Sequence, residues 1–263
     1  MGNVFDFNDA VSYMRWLKAD CNQHTIELES RLMTGMLHPF CGERLIDIGC
    51  GTGASLMPFL GKGILLTGAD PSPYMLDVAN KNLGHRVDLH RAYAEDLPFE
   101  DNSFDYASIC LTLEFVEEPQ KALEEAFRVA KDGVFIGILN KYALKALERR
   151  IKGIFKPSIY NHARFFGIGE IKYLIYKLLG DVPVSWKTTC QFPGIFHRFI
   201  YRIETLPLVQ RSPFGAFAGI MVLPVPRFVA KPLTLKSAAA KAVSPNRRPV
   251  SCAEKKVEGI NKV

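Results

Sequence analysis

The stretch that decides the fold is residues 45–53, LIDIGCGTG, in which a short apolar strand runs directly into a glycine-rich turn. Gly49, Gly51 and Gly53 carry no Cβ, so the backbone can turn tightly there and a ligand can lie against it. A carboxylate, Asp47, stands two residues before the first of these glycines. The stretch therefore predicts a nucleotide-type pocket at the end of a strand in an α/β fold.

The charge beside this turn bears on which nucleotide it holds. Gly49, Gly51 and Ala54 also satisfy the dinucleotide pattern G-x-G-x-x-G/A, so the glycines alone do not exclude NAD. A dinucleotide places an anionic pyrophosphate over the turn, whereas S-adenosylmethionine carries a sulfonium and an ammonium there, which Asp47 attracts. The second predicted strand ends in Asp70, at the distance from Gly49 where an acidic residue meets ribose hydroxyls, and this suits either cofactor.

Two further motifs follow the glycine turn at regular spacing: GADPSPYML at 68–76 and AEDLPFEDNSFD at 94–105. Together the three motifs resemble the class I S-adenosylmethionine-dependent methyltransferases, most of all the group that contains the ubiquinone/menaquinone C-methyltransferases and many small-molecule methyltransferases. The resemblance extends over roughly residues 42–140. It implies an α/β, Rossmann-like fold with a seven-stranded, mostly parallel sheet, helices on both faces and an antiparallel last strand. It also implies S-adenosylmethionine as cofactor and S-adenosylhomocysteine as product.

Strand-like and helix-like segments alternate along the chain, which favours a parallel sheet with helices on both faces. Strands are predicted at 44–48, 64–69, 87–91, 104–110, 134–139, 184–189 and 216–223. A helix is predicted to open at 54–56, directly after the glycine turn. Another is predicted over 119–130, ended by Lys131-Asp132-Gly133.

The 263 residues, of which 48% are apolar, suffice for one domain with a well-buried core. We expect a methyltransferase domain at 1–230, made of N-terminal lid helices (1–40), a cofactor-binding half (41–140) and an acceptor-side half (141–230). The sequence lacks a basic leader with a long apolar run, and prolines interrupt its most apolar stretch, so a cytoplasmic protein is expected. Six cysteines without C-x-x-C spacing support neither a metal site nor a disulfide framework.

The formal net charge of +6 comes entirely from the C-terminal segment. Residues 231–263 lose hydrophobic periodicity and predict a disordered, basic tail, which could bind nucleic acid or anionic membrane or could simply be solvated. A predicted amphipathic helix at 141–156 allows peripheral membrane contact, or it is an ordinary surface helix.

The resemblance carries cofactor contacts onto the loops that follow the strands. It implies that Asp47 and the Gly49 backbone hold the methionine part, Asp70 the ribose, and Met75 and Leu97 the adenine faces. The whole set implied is Asp47, Gly49, Cys50, Gly51, Gly53, Asp70, Pro71, Ser72, Met75, Tyr93, Ala94, Glu95, Leu97 and Leu111.

Tyr93 departs from the family pattern, because relatives usually have an acidic residue there that accepts from the adenine amino group. Either the Tyr93 ring packs against adenine, or Glu95 or Asp96 makes the amino contact. Alternatively, Tyr93 fills the seam between helix and sheet.

The acceptor site is predicted under aromatic-rich segments at 5–20, 159–166 and 191–203. Such a roof suits an apolar or aromatic acceptor, with Arg164 or Arg198 available to an anionic group. A general base is needed only for a weakly acidic hydroxyl or carbon, and the candidates are Glu114, Tyr13 and His162. Glu114 could instead satisfy loop amides, and His162 could be a structural residue.

These observations favour in-line methyl transfer to a small-molecule acceptor by a chain that needs no metal and binds no nucleic acid. The alternatives are an RNA methyltransferase anchored by the basic tail, a non-catalytic S-adenosylmethionine-binding protein and an NAD(P)-dependent oxidoreductase. The neutral body of the chain argues against RNA. The position of Asp47 and the lack of a second nucleotide half argue against NAD(P).

Overall fold

A computed structural model of the chain describes residues 4–143, 163–191, 203–204 and 206–224. The chain divides between Val225 and Pro226 into two units, and every described residue belongs to the first. The predicted tail, nearly all of the predicted helix at 141–156, His162 and Arg198 lie outside the described residues.

Seven strands form one sheet in the order β3-β2-β1-β4-β5-β7-β6. Neighbours from β3 through β5 are parallel, whereas β7 is antiparallel to both β5 and β6. The predicted fold class, with its antiparallel last strand, is thereby confirmed. The strands are β1 (Arg44–Ile48), β2 (Leu65–Ala69), β3 (Val87–His90), β4 (Phe104–Cys110), β5 (Ala130–Leu139), β6 (Val184–Thr189) and β7 (Phe217–Val222).

Helices cover both faces of this sheet. They are α1 (Phe7–Lys18), α2 (Asp20–Thr34), α3 (Pro73–Leu83), α4 (Pro119–Val129), α5 (Ile168–Leu179) and α6 (Pro207–Gln210), with short 3₁₀ helices at Met57–Phe59 and Gly84–Arg86. Buried residues of α4 and α5, such as Leu123 and Ile171, belong to one apolar core cluster, while Leu32 of α2 and Leu83 of α3 belong to another. The central strands are buried on both sides, which explains their nearly continuous apolar sequences.

The helix predicted to open at 54–56 is absent, and that prediction was wrong. Turns follow the glycine-rich loop, and the only helical residues between β1 and β2 are the 3₁₀ helix Met57–Phe59. Gly61 and Gly63 adopt positive φ angles of 76° and 72° directly afterwards. Because these conformations lie outside the right-handed helical region, an α-helix from residue 54 could not continue past residue 60.

The helix predicted over 119–130 is present as α4, which ends at Val129, but the residues predicted to end it, Lys131 to Gly133, belong to β5, because the strand begins directly after the helix. Lys131 forms an ion pair with Asp105 of β4 at 2.5 Å, which holds the start of β5 in the sheet. At Gly133, a Cβ would lie 2.4 Å from Cε of Met221. This glycine therefore allows close packing between strands.

Among the described cysteines, Cys50, Cys110 and Cys190 are free thiols, whereas Cys41 is disulfide-bonded, contrary to the expectation of none. Within the described part of the chain, every helix is too short or too polar to cross a bilayer.

Candidate functional site

A cavity lies between α1 and α2 on one side and the carboxyl ends of the parallel strands on the other. Its sheet-edge wall consists of the loops after β1 to β5 and is formed by Gly49, Cys50, Gly51, Thr52, Ala54, Ser55, Asp70, Pro71, Met75, Tyr93, Ala94, Glu95, Cys110, Leu111, Thr112, Phe115, Val116 and Leu139. Its helical wall is formed by Val4, Phe5, Tyr13, Trp16, Leu17, Ile26, Glu29, Ser30 and Met33. Ligands of open α/β sheets bind at this edge, beside the first strand.

The three glycines of the first loop have different reasons for lacking a side chain. All three adopt positive φ, but a Cβ at Gly49 would lie 2.3 Å from Cγ2 of Thr112, and one at Gly53 would lie 2.4 Å from Cδ1 of Leu83. A Cβ at Gly51 would meet no atom within 4 Å. Gly51 thus leaves open space on the cavity wall, as a cofactor lying against the backbone requires.

Asp47 lies behind the glycine loop rather than on the cavity. It is buried, with 1% of its surface exposed, and accepts hydrogen bonds from Ser108 Oγ at 2.6 Å and from Ser55 Oγ. Burial raises the pKa of Asp47 to about 6, and the two serine hydroxyls limit the rise. Ser55 does line the cavity, so its hydroxyl, which donates to Asp47, connects that carboxylate to the ligand space. The charge of Asp47 also acts on a ligand there.

Asp70 stands at the end of β2 and connects two loops. Its Oδ2 accepts from the Gly51 N–H at 2.8 Å, and its Oδ1 accepts from the Ser72 N–H at 2.9 Å. Burial raises the pKa of Asp70, and both amide contacts oppose that rise. A carboxylate oxygen accepts more than one hydrogen bond, so Asp70 keeps acceptor capacity towards the cavity that it lines.

Ser72 itself turns away from the cavity. Its hydroxyl caps α3 by accepting from the Met75 N–H at 3.3 Å, and it donates to the Phe5 carbonyl at 2.6 Å. The second contact joins the sheet-edge wall to the segment that precedes α1.

On the third loop, Tyr93 is 40% exposed and lies on the cavity, so it does not fill a seam between helix and sheet. Glu95 also lies on the cavity, but its Oε1 accepts from the Glu117 and Glu118 N–H groups ahead of α4. Asp96 is exposed and contributes nothing to the cavity wall. The Tyr93 ring is therefore better placed than either carboxylate to contact a purine.

The helical wall presents one face of each N-terminal helix. The residues that α2 contributes, Ile26, Glu29, Ser30 and Met33, follow the spacing of a single helix face. Tyr13 stacks on Trp16 with ring centroids 5.9 Å apart, and the Phe5 ring meets the Phe115 ring edge-on at 5.0 Å. This wall is mainly apolar and aromatic, with Glu29 as its one ionisable carboxylate among the described residues.

The candidate bases are placed very differently. Tyr13 lies on the cavity, whereas Glu114 is buried away from it and accepts from the Leu139 N–H at 2.6 Å. The structural interpretation of Glu114 is thus supported. Arg164 lies over the Phe166 ring at 5.1 Å and outside the cavity, so it offers no anchor for an anionic acceptor there.

Ten of the implied cofactor residues meet on this one cavity, namely Gly49, Cys50, Gly51, Asp70, Pro71, Met75, Tyr93, Ala94, Glu95 and Leu111. Four others lie outside it: Asp47 and Ser72 as described, Gly53 against Leu83, and Leu97 in the apolar core. Sequence reasoning missed Ser55 and Glu29. The serine at least follows the glycine motif directly, whereas no sequence signal singles out Glu29 on α2.

Comparisons with known proteins agree with this geometry. A family model described as "Methyltransferase domain" matches residues 46–138. The chain is 38% identical over 174 residues to a demethylmenaquinone methyltransferase of Tropheryma whipplei, covering 58% of this chain and 72% of that protein. A demethylmenaquinone methyltransferase of Clavibacter sepedonicus is 41% identical over 102 residues, which are 38% of this chain but only 42% of that relative's length.

The fold has a solved counterpart in a crystal structure from Thermotoga maritima, described as a SAM-dependent methyltransferase and possible histamine N-methyltransferase. It superimposes with a TM-score of 0.66 and 25% identity, covering 83% of this chain and 97% of that one. The sheet order, the glycine loop with its acidic partners and the extent of the sequence match all lead to one assignment. The chain belongs to the class I S-adenosylmethionine-dependent methyltransferases.

Proposed function

We propose that this protein transfers the methyl group of S-adenosylmethionine in line to a small, apolar or aromatic acceptor. The observation that carries this proposal is the pairing of two walls on one cavity. The glycine loop and Asp70 face it from the sheet edge, and a mainly apolar, ring-lined surface faces it from α1 and α2. One wall suits the cofactor and the other suits the acceptor.

The residues on the sheet-edge wall fit the cofactor. The open space at Gly51 admits the methionine part, Asp70 accepts from ribose hydroxyls, and Met75 and the Tyr93 ring flank the adenine. When bound, the cofactor supplies an already activated methyl group on a sulfonium. The burial of Asp47 and Asp70 beside this position provides negative charge that favours a cation there.

The chain contributes to the reaction chiefly by holding the acceptor in line. Reacting atoms about 3–3.5 Å apart in a water-poor site account for much of the acceleration in such transfers. The apolar residues of α1 and the edge-on rings of Phe5 and Phe115 exclude water and confine a flat molecule. Tyr13 is the candidate base that lies on the cavity.

The names of the relatives and the aromatic wall together support a ring-bearing acceptor. Demethylmenaquinone methyltransferases act on a quinone-type ring, and the T. maritima protein is described as a possible histamine N-methyltransferase. Both descriptions name molecules that carry a ring. A soluble naphthalene-1,4-diol is therefore a suitable first acceptor probe.

Calorimetry tests the cofactor part of the proposal. S-adenosylmethionine and S-adenosylhomocysteine should bind, and NADH should not, because pyrophosphate would lie beside Asp47 and Asp70. Asp70→Ala should weaken both ligands by about 1–3 kcal/mol, because buried ribose hydroxyls lose their acceptor. Equal binding of NADH, or unchanged affinity in Asp70→Ala, contradicts the cofactor assignment.

Turnover tests the acceptor part. S-adenosylhomocysteine should accumulate when the protein is incubated with S-adenosylmethionine and naphthalene-1,4-diol, and the product should gain one methyl mass. If both cofactor forms bind but neither this probe nor a metabolite extract is methylated, the chain is a cofactor-binding protein rather than an enzyme.

A further inference from the structure

A second groove runs along the outside of the fold, between α1 and α3. The cavity described above takes Tyr13, Trp16 and Leu17 from α1, whereas the groove takes Val11, Met14 and other residues from a different face of the same helix. None of the described residues that line the groove also lines the cavity. The groove is therefore a separate site, and α1 lies between the two.

One end of this α1–α3 groove is aromatic. The Phe7 ring meets the Tyr74 ring edge-on, with ring centroids 5.9 Å apart. Both residues lie in the first turn of their helices, and Phe7 is 60% exposed while Tyr74 is 45% exposed. Apolar surface left in water is stabilised when a ligand covers it, so this pair favours an occupant with an apolar part.

The floor of the groove is aliphatic and lies lower than its rims. Ala10 is buried, and Val11, Met14 and Val78 are partly buried, whereas the rings at the aromatic end are exposed. A flat surface, such as a bilayer, would contact the rims first. A narrow apolar chain, in contrast, can lie along the floor and cover these side chains.

The other end of the groove is cationic. Arg15 and Lys18 belong to the last turn of α1, and Lys81 belongs to the last turn of α3. All three side chains are exposed, and among the described residues they form no ion pair. Asp77 is the one carboxylate that the described residues contribute to the groove. The excess of positive charge favours an anionic group at this end.

The groove thus changes from apolar to cationic along its length. Because the rings lie where both helices begin and the lysines lie where both helices end, α1 and α3 run in the same direction beside it. At the rise of an α-helix, Phe7 and Lys18 are about 16 Å apart along the axis of α1. The occupant that matches this pattern is elongated, with an apolar chain and one anionic end.

We propose that the α1–α3 groove binds one amphipathic anion, a straight alkyl chain that ends in a carboxylate. The chain lies on the aliphatic floor with its tip at the Phe7–Tyr74 pair, and the carboxylate lies between Lys18 and Lys81. Burial of the chain supplies most of the affinity, and the cations fix its direction. The proposal does not depend on the proposed function, because the two sites share no residue.

Decanoate and decyltrimethylammonium test the charge preference, because they carry the same alkyl chain with opposite charges. Calorimetry on the full chain at pH 8, below the micelle-forming concentrations, measures both affinities. The wild type should bind decanoate about tenfold more tightly than the cation, because the positive end of the groove attracts one head group and repels the other. Equal affinities, or tighter binding of the cation, overturn the proposal.

A double variant locates the source of this preference. Lys18→Gln with Lys81→Gln should weaken decanoate about fivefold or more and leave the fold intact, because both side chains are exposed. The matched control is Lys121→Gln with Lys172→Gln, which makes the same change in charge at exposed positions of α4 and α5. The control should bind decanoate like the wild type. An equal loss in both double variants would show only an effect of net charge and would overturn the proposal.

Hydrogen exchange shows where decanoate binds. It should slow exchange in α1 and in the second half of α3, around Asp77 and Lys81, but not in α2, which contributes no described residue to the groove. Protection of α2 without α3 would place decanoate in the cavity and would overturn the proposal.

Vesicles distinguish a single amphipathic molecule from a membrane surface. Phosphatidylglycerol vesicles should bind no better than neutral vesicles, because the floor lies below the rims. If instead these vesicles bind through Lys18 and Lys81 while free decanoate does not bind, the surface contacts a membrane and the proposal is wrong. Binding of S-adenosylhomocysteine is measured separately, and its failure would contradict the proposed function while leaving this site untouched.

Discussion

The two walls of the cavity are held by different forces. On the sheet-edge wall, backbone amides and buried carboxylates are joined by direct hydrogen bonds, as between Gly51, Asp70 and Ser72. The helical wall is held mainly by contacts between rings: Tyr13 stacks on Trp16 within it, and Phe5 meets Phe115 of the sheet-edge wall. Hydrogen bonds fix direction and distance, whereas apolar contacts are non-directional and tolerate exchange of side chains.

We expect this difference in the forces to separate cofactor binding from acceptor binding. A cofactor common to all members needs a wall of fixed geometry, and the glycine loop provides one. An acceptor that differs between members needs a wall that mutation can reshape without unfolding the sheet. Substitutions on the first wall should therefore affect stability and cofactor binding together, and substitutions on the second should affect the acceptor alone.

The largest expected effect is at Gly49, where substitution breaks the sheet-edge wall. Gly49→Ala should destabilise the fold by about 2–4 kcal/mol, because positive φ and contact with Thr112 both oppose a methyl group. Gly51→Ala is the control, since its Cβ meets no atom and should cost only about 1 kcal/mol of backbone strain.

The two variants should differ in cofactor binding as well as in stability. Gly51→Ala should fold yet lose most of its affinity for S-adenosylhomocysteine, because its methyl group occupies ligand space. Urea unfolding and calorimetry measure the two effects. Equal stability of the two variants would show that the Thr112 side chain moves away from a methyl group at position 49 without cost.

Asp47→Asn should sharpen the comparison, because on the same sheet-edge wall it should raise stability while it weakens cofactor binding. The raised pKa of about 6 means that ionisation of Asp47 opposes folding, so its stability contribution is lost as pH rises from about 4 to about 6. The variant escapes this loss and should gain about 1–3 kcal/mol relative to the wild type at pH 7, but little at pH 4.

The same variant should bind S-adenosylmethionine about fivefold to tenfold less well, with a smaller loss for S-adenosylhomocysteine, which lacks the sulfonium charge. Unfolding curves at pH 4 and pH 7 and paired calorimetry check both effects. A stability gain that is equal at the two pH values, or equal losses of the two ligands, would assign Asp47 a purely structural role.

The sheet-edge wall was largely predictable because short motifs encode it. Positive-φ turns favour glycine, so Gly49, Gly51 and Gly53 marked this turn in the sequence. The same logic failed over the next residues, where a helix was expected but turns and a short 3₁₀ helix at Met57–Phe59 follow. The burial of Asp47 could not be predicted from the local sequence either, because Ser108, which donates a hydrogen bond to it, lies 61 residues along the chain.

For the helical wall, the sequence predicted only which types of residue are present, and not which of them face the cavity. The aromatic residues at 5–20 indicated a ring-lined lid, but the position of Glu29 on the cavity depends on which face of α2 turns inward. That choice is made by packing of residues such as Leu28 and Leu32 against the sheet, not by a local motif. Glu114 attracted the base assignment because it lies near a motif, whereas Glu29, the glutamate on the helical wall, lies far from one.

A smaller effect is expected from the two serines that hold Asp47. Ser108 is buried, so Ser108→Ala should cost about 1–2 kcal/mol of stability, because no water replaces its hydroxyl. Ser55 lies on the cavity, where water can take its place, so Ser55→Ala should cost less than about 1 kcal/mol. In cofactor binding the order should reverse, with the larger loss in Ser55→Ala. The same order in both measurements would mean that Ser55 acts only as a support for Asp47.

The smallest expected effect concerns the start of the helical wall. Asp6 caps α1, because its carboxylate accepts from the Asp9 N–H at 2.9 Å. The Asp9 carboxylate in turn accepts from the Asp6 N–H at 3.1 Å. Asp6→Ala should cost about 0.5–1 kcal/mol and increase hydrogen exchange in the first turns of α1. Asp6→Asn removes the same charge but keeps a good cap, so it should exchange like the wild type.

The effect of Asp6→Ala on ligands should fall on the acceptor side alone. Affinity for S-adenosylhomocysteine should stay within twofold, because the sheet-edge wall supplies its hydrogen bonds. Binding of naphthalene-1,4-diol should weaken two- to threefold, because Tyr13 and Trp16 of α1 line the cavity only when the helix is formed. An equal loss of both ligands would show that the two walls form one cooperative unit, joined through the Ser72–Phe5 hydrogen bond, and would remove the distinction between a fixed and an adaptable wall.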